Sequence, residues 1–170
     1  MDPEARFRAV FDRAYAPLCR YARHRGLSGA DAEDLVAQTL EIAWRRLDDM
    51  PEAEPLPWLY AIARNLWRNQ VRQDRRRSAI LARYRPSPPA AAGGDPARLE
   101  PGVLRAALAS LSDADQEVLR LVAWDGLTPA EVAVVLGCNP VAARSRLHRA
   151  RGRLAAVLGL DAGVQRRAPA

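Results

Sequence analysis

Apolar side chains recur along this chain every three or four positions, and nowhere do they alternate for long enough to make a strand. The clearest stretch is Ser28–Leu47. Leu35, Val36, Leu40, Ala43, Trp44 and Leu47 fall on one stripe, while Asp31, Asp34, Gln38, Glu41 and Arg45 fall opposite. This spacing predicts an amphipathic helix capped by Ser28 or Asp31. Phe7–Arg25 shows the same period through Phe7, Val10, Phe11, Leu18 and Tyr21, with Pro17 expected to break or kink it. Proline-punctuated Pro51–Pro57 reads as a loop. Trp58–Arg77 then reads as a long helix with Leu59, Ile62 and Leu66 turned inward. On it, Arg68, Arg72 and Arg75 lie three and four apart and share an exposed side. Further on, Gly102–Leu111 and Ser112–Trp124 predict two more helices, the second with an acid-rich first turn that suits the helix dipole.

Leu127–Leu154 carries the most specific local signal. Thr128, Pro129 and Glu131 supply the cap, the first helical residue and the capping-box acid of a short helix. Gly137 stops it, and Asn139 with Pro140 repeats the start signal. The helix that follows carries Arg144, Arg146, Arg149, Arg151 and Arg153 with no acid among them. Two helices joined by a tight turn, the second basic, form the helix-turn-helix that enters a DNA major groove.

Composition sharpens this picture. The chain of 170 residues has a formal net charge of +6, and all 26 basic residues are arginine. Arginine's planar fork suits phosphate and base edges, although a GC-rich genome also favours it. The charge is unevenly placed: eight acids lie in Gly26–Pro57 against Arg45 and Arg46, and eight arginines lie in Arg64–Arg85 against Asp74. Two partner surfaces of opposite character are therefore expected on the N-terminal unit. Pro86–Pro101 is rich in Pro, Ala and Gly and reads as a flexible linker. The expected organisation is all-α: a helical domain over 1–85, a linker over 86–101, a four-helix unit over 102–160 and a frayed tail over 161–170.

No apolar run reaches the roughly 18–20 residues of a membrane span, and the charged N-terminus has no signal-peptide core, so a cytoplasmic protein is expected. No regulatory domain of any size is expected after the helix-turn-helix. Cys19 and Cys138 lack paired metal or redox spacing and read as small buried side chains. No Gly-rich phosphate loop, metal-ligand set or nucleophile–base motif appears, and His24 and His148 stand without partner motifs. Neither enzymatic activity nor a cofactor is expected.

Three segments, DAEDLVAQTLEIAW, WLYAIARN and ARSRLHRARGRL, occur in an order and spacing that resemble a bacterial RNA polymerase sigma factor of the extracytoplasmic-function (ECF) group, in the sigma-70 family. The resemblance covers most of Phe7–Leu158 and fails in the linker and tail. It implies that the helix matching Asp31–Trp44 docks on the clamp helices of the polymerase largest subunit, through Asp31, Asp34, Gln38, Glu41 and Arg45; Trp44 and Leu47 are expected in the core. It implies that the helix matching Trp58–Arg77 reads the −10 promoter element and helps open it. Trp58, Tyr60, Arg64, Asn65, Trp67, Arg68, Asn69, Arg72, Arg75 and Arg76 offer the stacking surfaces, polar groups and cationic track that unstacked bases require. The preceding loop, Met50–Pro57, would shape a pocket for a flipped base. Asn65 is the chief candidate for base reading. The C-terminal unit would grip the −35 element as duplex through Val141, Arg144, Ser145, Arg146, His148, Arg149 and Arg151. Of these, Arg144 and Arg149 are candidates for guanine, and Arg146, Arg151 and Arg153 for phosphates or packing. The implied partners are core RNA polymerase, promoter DNA and, as in many relatives, an anti-sigma factor.

Two other readings compete. A stand-alone helix-turn-helix regulator would bind duplex DNA as a dimer, but it has no need of an acidic helix followed by an aromatic and arginine-rich one. A DNA-processing enzyme would require the catalytic residues that the sequence lacks.

Overall fold

The computed structural model describes residues 2–82 and 101–160, with side chains over 2–77 and 102–160. Among them are seven α-helices, one 3-10 turn and no strand. The linker and tail expectations lie outside the described residues.

The N-terminal unit is built from α1 (Pro3–His24), α2 (Gly29–Arg45) and α3 (Pro55–Ala82). Asp2 caps α1 by accepting from the Ala5 amide, so this helix begins four residues before the apolar pattern does. It also runs on through Pro17. Proline removes a donor there, but Ala14, Leu18 and Tyr21 are buried on either side and hold the helix by packing. Between α1 and α2 the chain turns at Gly26, whose φ of 83° is open to glycine at no steric cost. Ser28 caps α2, and its hydroxyl accepts from the Asp31 amide. The predicted stripe of α2 is buried, except that Trp44 is 44% exposed; Leu47 is buried in the 3-10 turn Leu47–Asp49.

α3 starts at Pro55, inside the stretch expected to be a loop. Pro55 and Pro57 occupy the first turn, where backbone N–H groups lack intrahelical partners and proline loses nothing. α3 also extends past Arg77 to Ala82.

The C-terminal unit comprises α4 (Pro101–Ser110), α5 (Asp113–Ala123), α6 (Pro129–Leu136) and α7 (Pro140–Val157). Ser112 caps α5. Thr128 and Glu131 close a capping box at α6, and Gly137 ends that helix in the left-handed region at φ 62°. Asn139 caps α7 by accepting from the Ala142 amide at 2.8 Å. α5 and α6 both pack on α7 around Val118, Leu121, Val132, Val135, Ala143, Leu147 and Ala150.

The two units are not independent bodies on a string. α3 packs along α6, and the buried side chains of both halves form one continuous cluster. A polar seam beside that contact joins the end of α1 to α5.

Candidate nucleic-acid interface

The recognition helix divides cleanly. Ala143, Leu147 and Ala150 turn inward, whereas Val141, Arg144, Ser145, Arg146, His148, Arg149 and Arg151 are all exposed. Val141, Arg144, Ser145, His148 and Arg149 recur at helical spacing on one face, and Val141 at its head is 66% exposed. An exposed apolar group at that end offers contact to a thymine methyl, and the flanking arginines offer forks to guanine. Arg153 does something else. Its Nη1 donates to both carboxylate oxygens of Asp115 at 2.7 Å, tying α7 to α5. Burial raises the Asp115 pKa, but the Ser112 hydroxyl and the Arg153 guanidinium outweigh it and hold the carboxyl below its usual range.

On α2, Asp31, Asp34, Gln38, Glu41 and Arg45 are all exposed, as the amphipathic pattern requires. Arg45 pairs with Glu41 one turn away, and the Ser28 hydroxyl donates to Asp31 at 2.5 Å. Asp31, Asp34 and Gln38 border a groove of about 340 Å³ shared with Asn69, Gln70 and Gln73 of α3. Along the other edge of α2, Trp44, Phe7, Phe11 and Tyr15 line an apolar groove of about 490 Å³ rimmed by Glu33, Asp34 and Glu41. Trp44 meets Phe7 edge to face at 5.1 Å. The sequence pattern placed Phe11 and Trp44 inward; both instead line this groove, 39% and 44% exposed, while Val10 and Ala14 take the buried positions of α1.

The residues expected on α3 are split by depth. Asn65, Arg68, Asn69, Arg72, Arg75 and Arg76 are exposed along one side, and Arg72 donates to Asn69. Trp58 and Trp67 are half-buried, and Trp58 lies 5.5 Å from the Arg46 guanidinium. Tyr60 is not on the surface in this arrangement. It is 2% exposed, its ring stacks on Tyr21 at 5.0 Å, and burial pushes its hydroxyl up to about 12. Tyr60 sits one position from Leu59 and so falls at the edge of the buried face; period alone did not separate the two. Arg64 is also drawn inward. Its Nε lies 3.9 Å from Glu117 and has no hydrogen-bond partner among the described residues. Burial and then the neighbouring Arg68 lower its pKa.

What draws Arg64 inward is a charged seam that the sequence did not reveal. Arg25, at the C-cap of α1, places its Nε and Nη2 on the two carboxylate oxygens of Glu117 at 3.2 and 3.0 Å. Its Nη1 donates to the Tyr21 carbonyl at 3.0 Å and to Asp125 at 3.1 Å. The guanidinium stacks 3.3 Å from the Tyr21 ring centroid, and the Tyr21 hydroxyl donates to Glu117 at 3.3 Å. His24 reaches the other oxygen of Asp125 at 3.2 Å. The Arg25 and Glu117 side chains are 0% and 4% exposed. Burial pulls the Arg25 pKa down, but Tyr21 and Glu117 outweigh it and the net shift is upward; burial, first of all, raises Tyr21 well above its usual value. At the surface end of the seam, Arg75 forks onto Asp113, at 2.8 Å for the shorter contact. Each of these acids comes from the C-terminal unit, some 38 to 101 positions away from its partner.

The family described as "Sigma-70 region 2" matches residues 10–77, and the one described as "Sigma-70, region 4" matches residues 102–154. The ECF RNA polymerase sigma factor EcfG of Rhodopseudomonas palustris is 36% identical over 135 residues, covering 76% of this chain and 72% of the relative. The RNA polymerase sigma factor CnrH of Cupriavidus metallidurans is 33% identical over 156 residues, covering 85% and 82%. Among solved structures, the sigma factor RpoE in complex with the anti-sigma factor NepR from Bartonella quintana superposes with a TM-score of 0.67 at 27% identity, over 91% of this chain and 98% of that one. CnrH in complex with the cytosolic domain of CnrY superposes with a TM-score of 0.62 at 31% identity, over 91% and 88%.

Proposed function

We infer what this chain does from the premise that it belongs to the sigma-70 family of RNA polymerase sigma factors, in the ECF group. It binds core RNA polymerase, directs it to particular promoters through the −35 and −10 elements, and helps melt the −10 region. The carrying observation is the division of surfaces: an exposed acidic face on α2, an arginine and asparagine side on α3, and an acid-free recognition helix whose outward face holds Val141, Arg144, Ser145, His148 and Arg149.

Each surface answers a different demand. Asp31, Asp34, Gln38, Glu41 and Arg45 offer polar and mostly acidic groups to the clamp helices. Asn65 and Asn69, flanked by Arg68, Arg72, Arg75 and Arg76, offer amide groups to base edges and cations to the backbone of an opened strand. Arg144 and Arg149 supply discrimination in the −35 duplex, each worth roughly 1–3 kcal/mol at a guanine. Arg146 and Arg151 neutralise phosphates, which gives affinity without sequence information. The chain acts by binding and not as an enzyme: unstacking costs a few kcal/mol per step and is offset by contacts to the separated strand, while phosphodiester chemistry belongs to the core polymerase. Its place of action is that of polymerase, the cytoplasm. An anti-sigma factor is a further partner, by analogy with the complexes of RpoE with NepR and CnrH with CnrY. A stand-alone regulator is disfavoured because it leaves the α2 and α3 surfaces without a task.

The test is transcription in vitro. Added to bacterial core polymerase on a promoter library, the protein is expected to yield transcripts from a subset of templates sharing −35 and −10 sequences. A transcript profile indistinguishable from that of core alone refutes the reading.

A further inference from the structure

The chain between α2 and α3 is held at its ends. After the 3-10 turn Leu47–Asp49 comes Met50, buried at 3% exposure; the exposed residues Pro51, Glu52, Ala53 and Glu54 follow, and α3 opens at buried Pro55. Among the described residues, none of the backbone hydrogen bonds made outside the helices involves those four, and Pro51 has no amide to give. Among the same residues, the one side-chain hydrogen bond that reaches this stretch comes from α1. Arg6 Nη2 donates to the Met50 carbonyl at 2.6 Å, across 44 positions. A guanidinium on a carbonyl makes a charge-assisted bond, and its planar fork gives that bond a direction. Arg46 steadies the turn from its other end: its Nε donates to Asp49 at 2.9 Å, and its guanidinium lies 5.5 Å from the Trp58 ring.

Pro51–Glu54 stands at the head of the side of α3 proposed for the opened −10 strand. Trp58, Asn65 and Arg72 recur every seven residues and so follow one another along that side, away from the loop. We propose that Arg6 is a positioning residue for base selection at the −10 element. From α1 it fixes the Met50 carbonyl, and through it the path of Pro51–Glu54, the wall against which an unstacked base is read. This role presupposes the sigma-factor reading. A loop without internal hydrogen bonds takes its path from its two ends. The downstream end is fixed, because Pro55 and Pro57 are buried in the first turn of α3. At the upstream end the buried Met50 side chain sets the position, and the bond from Arg6 sets the orientation of the peptide leading into Pro51. Discrimination between bases needs hydrogen-bonding groups placed to a fraction of an ångström. A peptide free to turn at Met50 blurs the choice of base and leaves the contacts of α3 with the strand in place. Val10, Ala14, Leu18 and Tyr21 carry the packing of α1, so a substitution at Arg6 leaves the core intact.

The experiment compares two variants with a control. Arg6→Met keeps an unbranched stem but cannot donate, and Arg6→Lys keeps a cationic donor. Arg8→Met removes the same charge from an exposed position of α1. Each full chain is assembled with bacterial core polymerase and competed on promoters that carry each base in turn at every −10 position. In Arg6→Met the preference at one position is expected to fall by roughly tenfold, with −35 preferences and the melting temperature as in the wild type. Arg6→Lys is expected to recover most of the preference, and Arg8→Met to match the wild type. A merely structural Arg6 would lower the melting temperature or depress all templates alike; either result without a change of preference overturns the role. A second readout needs no polymerase. With Cys19 and Cys138 replaced by serine, a nitroxide on Ala53→Cys reports the loop by electron paramagnetic resonance. Its spectrum is expected to sharpen when Arg6→Met is added and to stay broad with Arg6→Lys. An unchanged spectrum overturns the role, as does a loosened loop that leaves base preference intact. If the wild type yields no transcript from any template, the sigma-factor reading fails and the role of Arg6 falls with it. A wild type that selects bases, beside an Arg6→Met that selects them equally well, refutes the role of Arg6 alone.

Discussion

At the scale of single residues, Arg25 carries more of this structure than any side chain flagged by the sequence pattern. It sits in a loop-like position after a helix, where an arginine reads as solvated, and only the fold brings Glu117 and Asp125 to it. Removing one partner of a buried, hydrogen-bonded ion pair leaves the other charges stranded, which costs about 3–5 kcal/mol. Arg25→Ala is therefore expected to weaken the packing of the two units by about that amount, whereas Arg45→Ala, which breaks an exposed pair with Glu41, changes little. Trp124 lies 5.4 Å from His24 across the seam, so urea denaturation followed by the fluorine resonance of a labelled Trp124 reports the relevant transition. Coincident midpoints for the wild type and Arg25→Ala would contradict the assigned role. Arg153 and Arg144 part company in the same way. Both are exposed members of one basic run, but Arg153 is fixed on Asp115. Arg144→Ala should lose −35 discrimination with stability intact; Arg153→Ala should lower the melting temperature and leave the sequence preference of the surviving folded protein unchanged. A loss of discrimination in both would show that Arg153 also reads DNA.

At the scale of elements, local chemistry made most of the fold legible. Ser28, Ser112, Thr128 and Asn139 each start a helix where their side chains predicted one, and Gly137 ends one in the left-handed region. Of the starts that were missed, that of α1 carries the same cap-and-proline signature, Asp2 with Pro3, but ahead of the apolar pattern. α1 opens at Asp2, and α3 opens through prolines that resemble a loop until their first-turn placement is seen. The Ser112 cap has a consequence for pH. Asp115 is held below its ordinary value, against the effect of burial, by Ser112 and Arg153. The unfolded chain, with its carboxyl near the ordinary 3.8, then takes up the proton first. This contribution to stability is present in full above that value and is lost as pH falls through the lower, folded one. Asp113, lowered first by its hydrogen bond from Arg75, acts in the same sense. Asp115→Asn should therefore be less stable than wild type at pH 6, with the gap closing below about pH 4. Thermal melts across that window check it, and a gap that stays constant with pH would remove the charge from the account.

At the scale of the whole molecule, the sequence separated two helical units and the candidate surfaces on each, but not their relation. A docked arrangement depends on pairings such as Tyr21 with Glu117 and Arg25 with Asp125, almost a hundred positions apart or more, and no local periodicity encodes them. The same gap explains why Arg64 was expected at the surface, since only the docked arrangement brings Glu117 of α5 to it; Tyr60 is different, because Tyr21 of α1 covers it within its own unit. The docked arrangement leaves the α2 face free while α6 packs along α3, so polymerase docking and strand reading should be separable steps. A chain held shut by a cleavable bis-maleimide reagent between Arg75→Cys and Asp113→Cys, with Cys19 and Cys138 replaced by serine, tests that order. Arg75 and Asp113 are exposed and paired, so thiols introduced there lie on facing surfaces. The cross-linked protein is expected to bind core polymerase as well as the same protein after cleavage, measured by co-migration on size-exclusion chromatography, yet to give no transcript until the reagent is cleaved. Comparing one preparation before and after cleavage cancels the effect of replacing Arg75. If the cross-linked form fails to bind core, opening precedes docking; if it transcribes while shut, the covered part of α3 plays no part in reading the −10 strand.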